Sequence, residues 1–349
     1  MKVGYVYDPI YLKHDTGNHP ENAQRLEAII SHLEQTGLMP KLSPIKPRAA
    51  TIEEISLVHG KQYISNIQEV AKDGGGWLDV DTVMSPGSYD AAVYAAGGLI
   101  SATEAVMDKE AGSVFALVRP PGHHATATQA QGFCLFNNIA IAAKYALSKY
   151  RLQRIAIIDF DVHHGNGTQE AFYDDPRVLY VSTHEFPLYP GTGRIEETGS
   201  GEGRGTKVNI PLPAGSGDAE YREVFDQIIV PVVRRFSPQL ILVSAGYDAH
   251  WSDSIAMMEV SVTGFAQMAG IIKGLADELC SGRLAFTLEG GYSLYALAAS
   301  VKATFDVFLG NTNIEDPLGQ PQPGFKLRGF KPPDISSLIK AIKGIHNLP

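Results

Sequence analysis

The stretch "RPPGHHA" places two histidines, His123 and His124, directly after a proline pair and a glycine. Adjacent side chains point in different directions on any regular backbone, so this pair is poorly arranged to hold one metal ion together. Two histidines with separate tasks fit better, one taking a proton from an attacking water and the other assisting the leaving amine. A lone histidine is more often a hydrogen-bonded core residue, so the chemistry depends on what shares a pocket with the pair.

A second segment, "DFDVHHGNG", supplies candidate metal ligands. Because side chains alternate along an extended strand, Asp159, Asp161 and His163 face the same side. Asp161 and His163 offer an oxygen and a nitrogen to a divalent metal, although such a pair at a strand end is more often structural. Asp248 in "SAGYDA" is a third candidate ligand or, alternatively, the N-cap of a helix. Three protein ligands with room left for water are typical of catalytic zinc.

Five further side chains would complete a hydrolytic site. Asp159 and Asn166 are available to hold one histidine ring each, and a carboxylate raises imidazole basicity more than an amide does. Tyr292 follows "LEGG", whose glycines let the chain turn close to a ligand, so its hydroxyl is a candidate donor to a developing oxyanion. Phe133 and Tyr189 lie near glycines and are candidate walls of a narrow slot. Aromatic residues in these settings are otherwise ordinary packing residues.

The elements that must position these residues follow an α/β pattern. Continuously apolar runs alternate with helical patterns, which predicts parallel strands buried on both faces between layers of helices. The predicted strands cover residues 3–7, 113–119, 154–161, 178–183, 239–246 and 283–291. The predicted helices cover residues 20–36, 60–71, 88–109, 136–149, 218–235, 260–280 and 292–309. Four of the strand ends carry the candidate residues, so we expect one site beyond the carboxyl edge of the sheet.

Composition narrows the class of protein. The 349 residues, 44% of them hydrophobic and 19% charged, predict a single domain over 1–349. Its Pro-rich tail over about 310–349 is predicted to be irregular, with a short helix near 334–346. The net charge of −9 argues against nucleic-acid binding, and two cysteines exclude a disulfide framework. Without an 18-residue apolar stretch or a signal-peptide pattern, we expect a cytoplasmic protein that binds no membrane.

Taken together, "RPPGHHA", "DFDVHHGNG", "SAGYDAH" and "LEGGY" resemble the histone deacetylase and acetylpolyamine amidohydrolase family. The resemblance runs from "HPENAQRL" at 19–26 to about residue 310, and the motifs are more similar to class II-type and bacterial members than to class I. It implies an arginase-like, three-layer αβα fold with a central, mostly parallel eight-stranded sheet. The implied activity is zinc-dependent removal of acetyl or other acyl groups from acetyl-lysine-like amines.

The resemblance also implies metal ions and the residues that bind them. Zinc would be held by Asp161, His163 and Asp248, with Fe²⁺ as the alternative because one histidine and two aspartates select weakly between them. The resemblance implies one potassium ion near the zinc and a second potassium ion elsewhere. The implied ligands are Asp159, Asp161, His163 and Ser182 for the first potassium ion, and Phe172, Asp175 and Val178 for the second.

Catalytic roles follow from the same motif positions. His124 would be the main general base and acid, and His123 its electrostatic partner. Asp159 would orient His123, and Asn166 would orient His124. Tyr292 would polarise the amide carbonyl and stabilise the oxyanion.

The resemblance places the substrate in a channel. Phe133 and Tyr189 would form its walls, and Gly132 would accept the substrate N–H. Ile255 stands where one type of polyamine-specific member has an acidic gatekeeper, which favours acetylated lysine side chains over acetylated polyamines. Asp79 or Asp81 would lie on the rim and bind a cationic or peptide portion. The sequence leaves the physiological substrate and homo-oligomerisation open.

Two rival functions fit these residues less well. An arginase-like dinuclear manganese hydrolase needs further carboxylates, and positions 165 and 250 are instead Gly165 and His250, so we reject it. A non-catalytic acyl-group binder is expected to lack His124 or Tyr292, and both are present. An acetylpolyamine amidohydrolase stays the main alternative to an acyl-lysine hydrolase.

Overall fold

The computed structural model describes residues 2–321, 325–326 and 333–349. Its strands are β1 Val3–Val6, β2 Ser43–Ile45, β3 Gly76–Trp77, β4 Val83–Met84, β5 Ser113–Ala116, β6 Ile155–Asp159, β7 Val178–Glu185, β8 Lys207–Leu212, β9 Leu240–Ala245 and β10 Leu284–Leu288. Eight of them form one sheet in the order β2-β1-β5-β10-β9-β6-β7-β8, and every neighbouring pair is parallel. The predicted α/β fold with an eight-stranded sheet is confirmed.

Helices connect and cover the strands. They are α1 Gln24–Gln35, α2 Ile52–Ile55, α3 Lys61–Lys72, α4 Ser88–Met107, α5 Asn138–Lys149, α6 Asn166–Ala171, α7 Asp218–Val224, α8 Val230–Phe236, α9 Val262–Cys280, α10 Leu294–Phe308 and α11 Ser336–His346. The single helix predicted over 218–235 is α7 and α8, joined by a wider π-helical turn at Phe225–Ile229. Pro231 explains this turn, since it has no N–H and its ring crowds the carbonyl of the preceding turn.

The core strands are covered on both faces. Every residue of β5, β6, β7, β9 and β10 is buried, as their continuously apolar sequences predict. Sequence reasoning missed β2 and β8, which lie at the two edges of the sheet. Both contain a proline, Pro44 and Pro211, and edge strands tolerate proline because one side of the strand has no ladder partner.

The sheet order explains how distant motifs meet. β5, β10, β9 and β6 are consecutive neighbours, and each of the four functional motifs follows one of them. Because all four strands are parallel, their carboxyl ends lie at one edge of the sheet. The predicted tail helix is α11, while parts of the predicted irregular tail (322–324 and 327–332) lie outside the described residues.

Candidate active site

The three predicted metal ligands lie together at this edge. One ligand atom from each of Asp161, His163 and Asp248 lies within 4.8 Å of the other two. His163 Nδ1 is 3.1 Å from Asp161 Oδ1 and 3.3 Å from Asp248 Oδ2. Asp248 Oδ2 is buried and makes no hydrogen bond to the described residues. A buried carboxylate oxygen that accepts no hydrogen bond fits a bound cation, because burying a polar atom without a hydrogen bond is costly.

The charges of these ligands are poorly balanced within the protein itself. Burial raises the pKa of Asp248 to about 6, and the neighbouring Asp161 carboxylate raises it further. Although burial lowers the pKa of His163, its hydrogen bond to Asp161 and the nearby Asp248 carboxylate raise it to about 10. One imidazolium therefore stands between two buried carboxylates. A divalent cation is the natural complement to this donor set of one nitrogen and two carboxylates.

Backbone groups fix the direction of both carboxylates. Asp161 accepts hydrogen bonds from the backbone N–H groups of His163 (2.9 Å) and Gly290 (2.8 Å), and Asp248 Oδ1 accepts one from Val162 (3.0 Å). A Cβ atom at position 290 would lie 2.1 Å from Asp248 Oδ2 and 2.6 Å from Asp161 Oδ2. The first glycine of "LEGGY", Gly290, is therefore needed because its backbone passes directly beside the candidate metal ligands. Asp248 lies in a turn and is not a helix N-cap.

The two histidines have the separate partners that the sequence predicts. His123 Nδ1 is 3.0 Å from Asp159 Oδ2, which also accepts a hydrogen bond from the Tyr180 hydroxyl at 3.0 Å. His124 Nδ1 is 2.8 Å from Asn166 Oδ1. Their ring centroids are 4.0 Å apart. Since Asn166 Oδ1 only accepts, the proton of neutral His124 is on Nδ1, which leaves Nε2 free to accept another.

The partners give the two rings opposite pKa shifts. Although burial lowers the pKa of His123, the carboxylates of Asp159, Asp161 and Glu289 raise it to about 10. Burial lowers the pKa of His124 well below its usual value, and the neighbouring charge of His123 lowers it further. His123 is thus the basic ring and His124 the one that is neutral at neutral pH. Adjacent residues acquire different protonation states from their surroundings.

Glu289 is a site residue that the sequence reasoning missed. Its Oε2 accepts the backbone N–H groups of Gly122 (2.7 Å) and His123 (3.2 Å), and its Oε1 accepts the Ser244 hydroxyl (2.9 Å). Burial raises its pKa to about 7. The carboxyl group thus ties the end of β10 to the loop that carries both histidines. The signal was the glutamate of "LEGGY", a motif in which only the glycines and tyrosine were interpreted.

Tyr292 is positioned by residues that the sequence reasoning also missed. Asp253 Oδ2 accepts the backbone N–H of Tyr292 at 2.6 Å. The guanidinium carbon of Arg25 lies 5.0 Å from the centre of the Tyr292 ring, and Arg25 Nε donates to Gly291 O at 2.7 Å. The Phe133 ring meets Tyr292 edge to face at 5.9 Å. These contacts fix both the backbone and the ring of Tyr292 beside the metal ligands.

A pocket leads from the surface to the metal ligands. Candidate metal ligands and the histidine pair form part of its lining. The other lining residues are Asp81, Pro121, Gly132, Phe133, Tyr189, Ile255, Gly290 and Tyr292. Gly132 has a φ of +55°, and a Cβ atom there would lie 2.4 Å from His124 Cδ2, so only glycine fits without displacing the ring. Of the two predicted rim carboxylates, Asp81 lines this pocket, whereas Asp79 accepts the backbone N–H groups of Asp81 and Thr82.

The predicted potassium ligands fall in two places. Ser182 pairs with Asp159 across β6 and β7, close to the metal ligands, and its hydroxyl is 2.9 Å from His184 Nδ1. The loop 172–178 lies at the opposite end of β7. There the ammonium group of Lys207 donates to Val178 O at 2.9 Å.

Among the residues that the structure describes, no helix is long and apolar enough to cross a bilayer.

Comparison with known proteins gives a family match and several relatives. A family model described as a histone deacetylase domain matches residues 19–308. A probable deacetylase from Archaeoglobus fulgidus is 46% identical over 297 residues, which cover 84% of this chain and 82% of that protein.

Two further relatives extend the comparison. The chloroplastic histone deacetylase 14 of Arabidopsis thaliana is 42% identical over 327 residues, which cover 89% of this chain and 77% of that protein. The crystal structure of the HDA15 HD domain is similar with a TM-score of 0.87 and 32% identity, covering 99% of this chain and 94% of that one. The region matched by the family model includes every side chain described above for the pocket and its metal ligands.

Proposed function

The chain belongs to the histone deacetylase family, and from this premise we propose that it is a zinc-dependent amidohydrolase acting on acetyl-lysine-like amines. The observation that carries the proposal is the Asp161–His163–Asp248 cluster at the base of the pocket, in which the buried Asp248 Oδ2 accepts no hydrogen bond from the described residues. This arrangement supports a metal centre directly beside two histidines of unequal basicity. A deacetylase requires both features in one place.

Zinc bound by Asp161, His163 and Asp248 would polarise the amide carbonyl and make water more acidic, with Fe²⁺ as the alternative ion. His124, neutral and with Nε2 free, takes the proton of the attacking water and later gives it to the leaving amine. Its Nδ1–H stays bonded to Asn166 throughout, which keeps the ring in one tautomer. His124 is thus the proton carrier of the proposed reaction.

His123 and Tyr292 act on the negative charge that develops on the carbonyl oxygen. His123, held protonated by Asp159, supplies a fixed positive charge next to the reacting groups. The Tyr292 hydroxyl donates a hydrogen bond to the same oxygen. Both groups are held in position before the reaction begins, so they stabilise the charge without reorganisation.

The pocket walls favour an unbranched acylated amine. Phe133 and Tyr189 enclose the substrate stem, and Ile255 adds an apolar wall without charge. The carbonyl oxygen of Gly132 is the proposed acceptor of the substrate N–H. The same oxygen accepts a hydrogen bond from the Cys134 thiol at 3.2 Å. Asp81 is assigned to the portion of the substrate outside the channel. A potassium ion at Asp159, Asp161, His163 and Ser182 and a cytoplasmic location remain parts of this proposal.

One observation favours the alternative, an acetylpolyamine amidohydrolase. Asp81 lines the pocket, and burial and the neighbouring Asp79 raise its pKa. A carboxyl group at this position would suit the cationic amines of a polyamine. Asp81 is therefore compatible with both substrate classes, whereas the apolar Ile255 favours the acyl-lysine class.

A substrate panel separates the two functions. The zinc-loaded protein is assayed with an acetyl-lysine peptide, longer acyl-lysine peptides, acetylputrescine and acetylspermidine. We expect the highest kcat/KM on an acyl-lysine, loss of activity with a chelator, and recovery on adding zinc. The proposal is wrong if the metal-loaded protein hydrolyses none of these amides. If acetylspermidine is turned over orders of magnitude faster than every acyl-lysine, the alternative replaces it.

A further inference from the structure

Lys207 is a buried cation far from the candidate active site. It begins the edge strand β8, yet its side chain is 0% exposed. Its ammonium group donates to Thr206 Oγ1 at 2.6 Å, to Val178 O at 2.9 Å and to Asp175 O at 3.5 Å. Lysine is almost never fully buried without partners, so these oxygens form a built cation site.

The protonation state follows from these contacts. An ammonium group has three N–H donors and no acceptor, and the three oxygens match those donors. A neutral amine would leave one oxygen without a donor and point a lone pair at it. The geometry therefore favours the charged form.

The same carbonyl groups belong to the loop for which the sequence resemblance predicts potassium. An ammonium group and a potassium ion are both monovalent cations that take oxygen ligands, and two like charges cannot share one small buried site. These contacts do not fit the expected second potassium ion at Phe172, Asp175 and Val178. We propose that the ammonium group of Lys207 is the resident cation of the loop 172–178, and that this loop binds no potassium ion.

A covalently attached cation has a consequence for the rest of the fold. The loop 172–178 joins α6, which begins with Asn166, to β7, which carries Tyr180. Asn166 is the partner of His124, and the Tyr180 hydroxyl bonds to Asp159. Lys207 fixes the connection between these two elements whatever the potassium concentration of the medium. The proposal is independent of the substrate assigned above.

Rubidium, which replaces potassium and scatters anomalously, tests the site directly. Crystals of the zinc-loaded protein are soaked in rubidium chloride. We expect no anomalous peak between Val178 O and Asp175 O in the wild type, and a peak there in Lys207→Thr, which keeps an oxygen and leaves room for an ion. A rubidium ion in the wild-type loop, or none in the loop of a folded Lys207→Thr variant, overturns the proposal.

Thermal unfolding gives a second measurement if the variant does not crystallise. Lys207→Thr should gain at least about 2 °C more in Tm than the wild type when choline chloride is replaced by potassium chloride at equal ionic strength. Lys144→Thr is the matched control, because the Lys144 ammonium lies 5.3 Å from the Phe172 ring but donates to none of the three oxygens that Lys207 binds. An equal gain in all three proteins contradicts the assignment, as does failure of potassium to stabilise Lys207→Thr.

Discussion

Two buried ionic clusters contact the same short segment, residues 289–291, and they differ in how their charges are balanced. In the first, which we call the arginine cluster (Glu21, Arg25 and Arg119), Glu21 Oε1 accepts from Arg25 at 3.0 Å and from Arg119 at 2.5 Å. Glu21 Oε2 accepts a further hydrogen bond from Arg119 at 2.7 Å. Although burial raises the pKa of Glu21, Arg119 and Arg25 lower it to about 2. This carboxylate is fully compensated within the protein.

The second cluster is the set of candidate metal ligands Asp161, His163 and Asp248. Here burial and the Asp161 charge raise the pKa of Asp248 to about 6, and its Oδ2 makes no hydrogen bond to the described residues. Arg25 donates to Glu289 O and Gly291 O, while Asp161 accepts from the intervening Gly290 N–H. The arginine cluster therefore holds the segment as a closed structural unit, whereas the candidate metal ligands use the same segment as an open site whose charges the protein itself does not balance.

The largest expected effect comes from removing charge at the open site. Asp248→Asn should abolish stoichiometric zinc binding and reduce kcat/KM by at least ~10⁴-fold, the upper end of what one acid–base group contributes. Metal content per chain and turnover of an acetyl-lysine peptide measure both effects. Glu21→Gln is the control, since it removes one charge from the compensated cluster and should leave zinc stoichiometry unchanged. Full zinc content and activity in Asp248→Asn would remove the distinction between the clusters.

The histidine pair is the next largest effect. His124→Ala should lower kcat by ~10²–10⁴-fold because it removes the proton carrier, and His123→Ala should lower it less because it removes only a fixed charge. The measurement is single-turnover kinetics of both zinc-loaded variants at pH 8. Equal zinc content in the two variants is the necessary control. A greater loss in His123→Ala contradicts the division of roles.

The next prediction concerns the proposed role of the Tyr292 hydroxyl as the hydrogen-bond donor to the oxyanion. Tyr292→Phe removes one hydroxyl with little change of volume, and loss of one such donor typically lowers kcat by ~10²–10³-fold. Tyr295→Phe is the matched control, because Tyr295 is 53% exposed on α10 and is not among the residues that line the pocket. Wild-type kcat in Tyr292→Phe would exclude the role.

The division between closed and open clusters also explains what the sequence could predict. The central strands were predictable because residues buried on both faces form continuous apolar runs, whereas the edge strands β2 and β8 lack that pattern. The motif side chains were predictable because each follows a strand end within a few residues. Their convergence and both predicted histidine partners are present in the structure.

What the sequence did not reveal are the residues that bind backbone groups. Arg25, Asp253 and Glu289 hold the segment 289–293 and the histidine loop through carbonyl and N–H groups, and no sequence spacing shows such contacts. Lys207 was missed for a related reason, since a lysine in a polar edge strand normally points to solvent. Both kinds of residue act through tertiary contacts that only the assembled sheet creates.

The arginine cluster gives a prediction for stability. Glu21→Gln leaves Arg25 and Arg119 buried without their carboxylate, and breaking a buried pair in this way typically costs about 3–5 kcal/mol. Denaturant unfolding of both proteins at pH 7 measures the difference. Because the pKa of Glu21 is lowered to about 2 in the folded state, its contribution is present above the unfolded pKa near ~4.3 and is lost as the pH falls towards 2. The free energies of unfolding of the wild type and Glu21→Gln should therefore converge at acid pH. A difference between them that stays constant with pH would contradict this prediction.

The smallest effect tests the open cluster by a change of one atom. Asn166→Asp replaces the amide that holds His124 with a carboxylate, which stabilises the protonated ring and raises the pKa of His124, typically by about 1–3 units for a close opposite charge. Since His124 must be neutral to accept a proton, the acidic limb of the kcat/KM profile should move to higher pH by a similar amount. The profile of the zinc-loaded variant from pH 5 to 10 measures the shift. Asn66→Asp on the exposed face of α3 is a control for adding one surface charge, since a carboxylate can still accept the hydrogen bond from Gln62. An unchanged acidic limb would mean that His124 does not carry the proton, and that Asn166 only holds the ring in place.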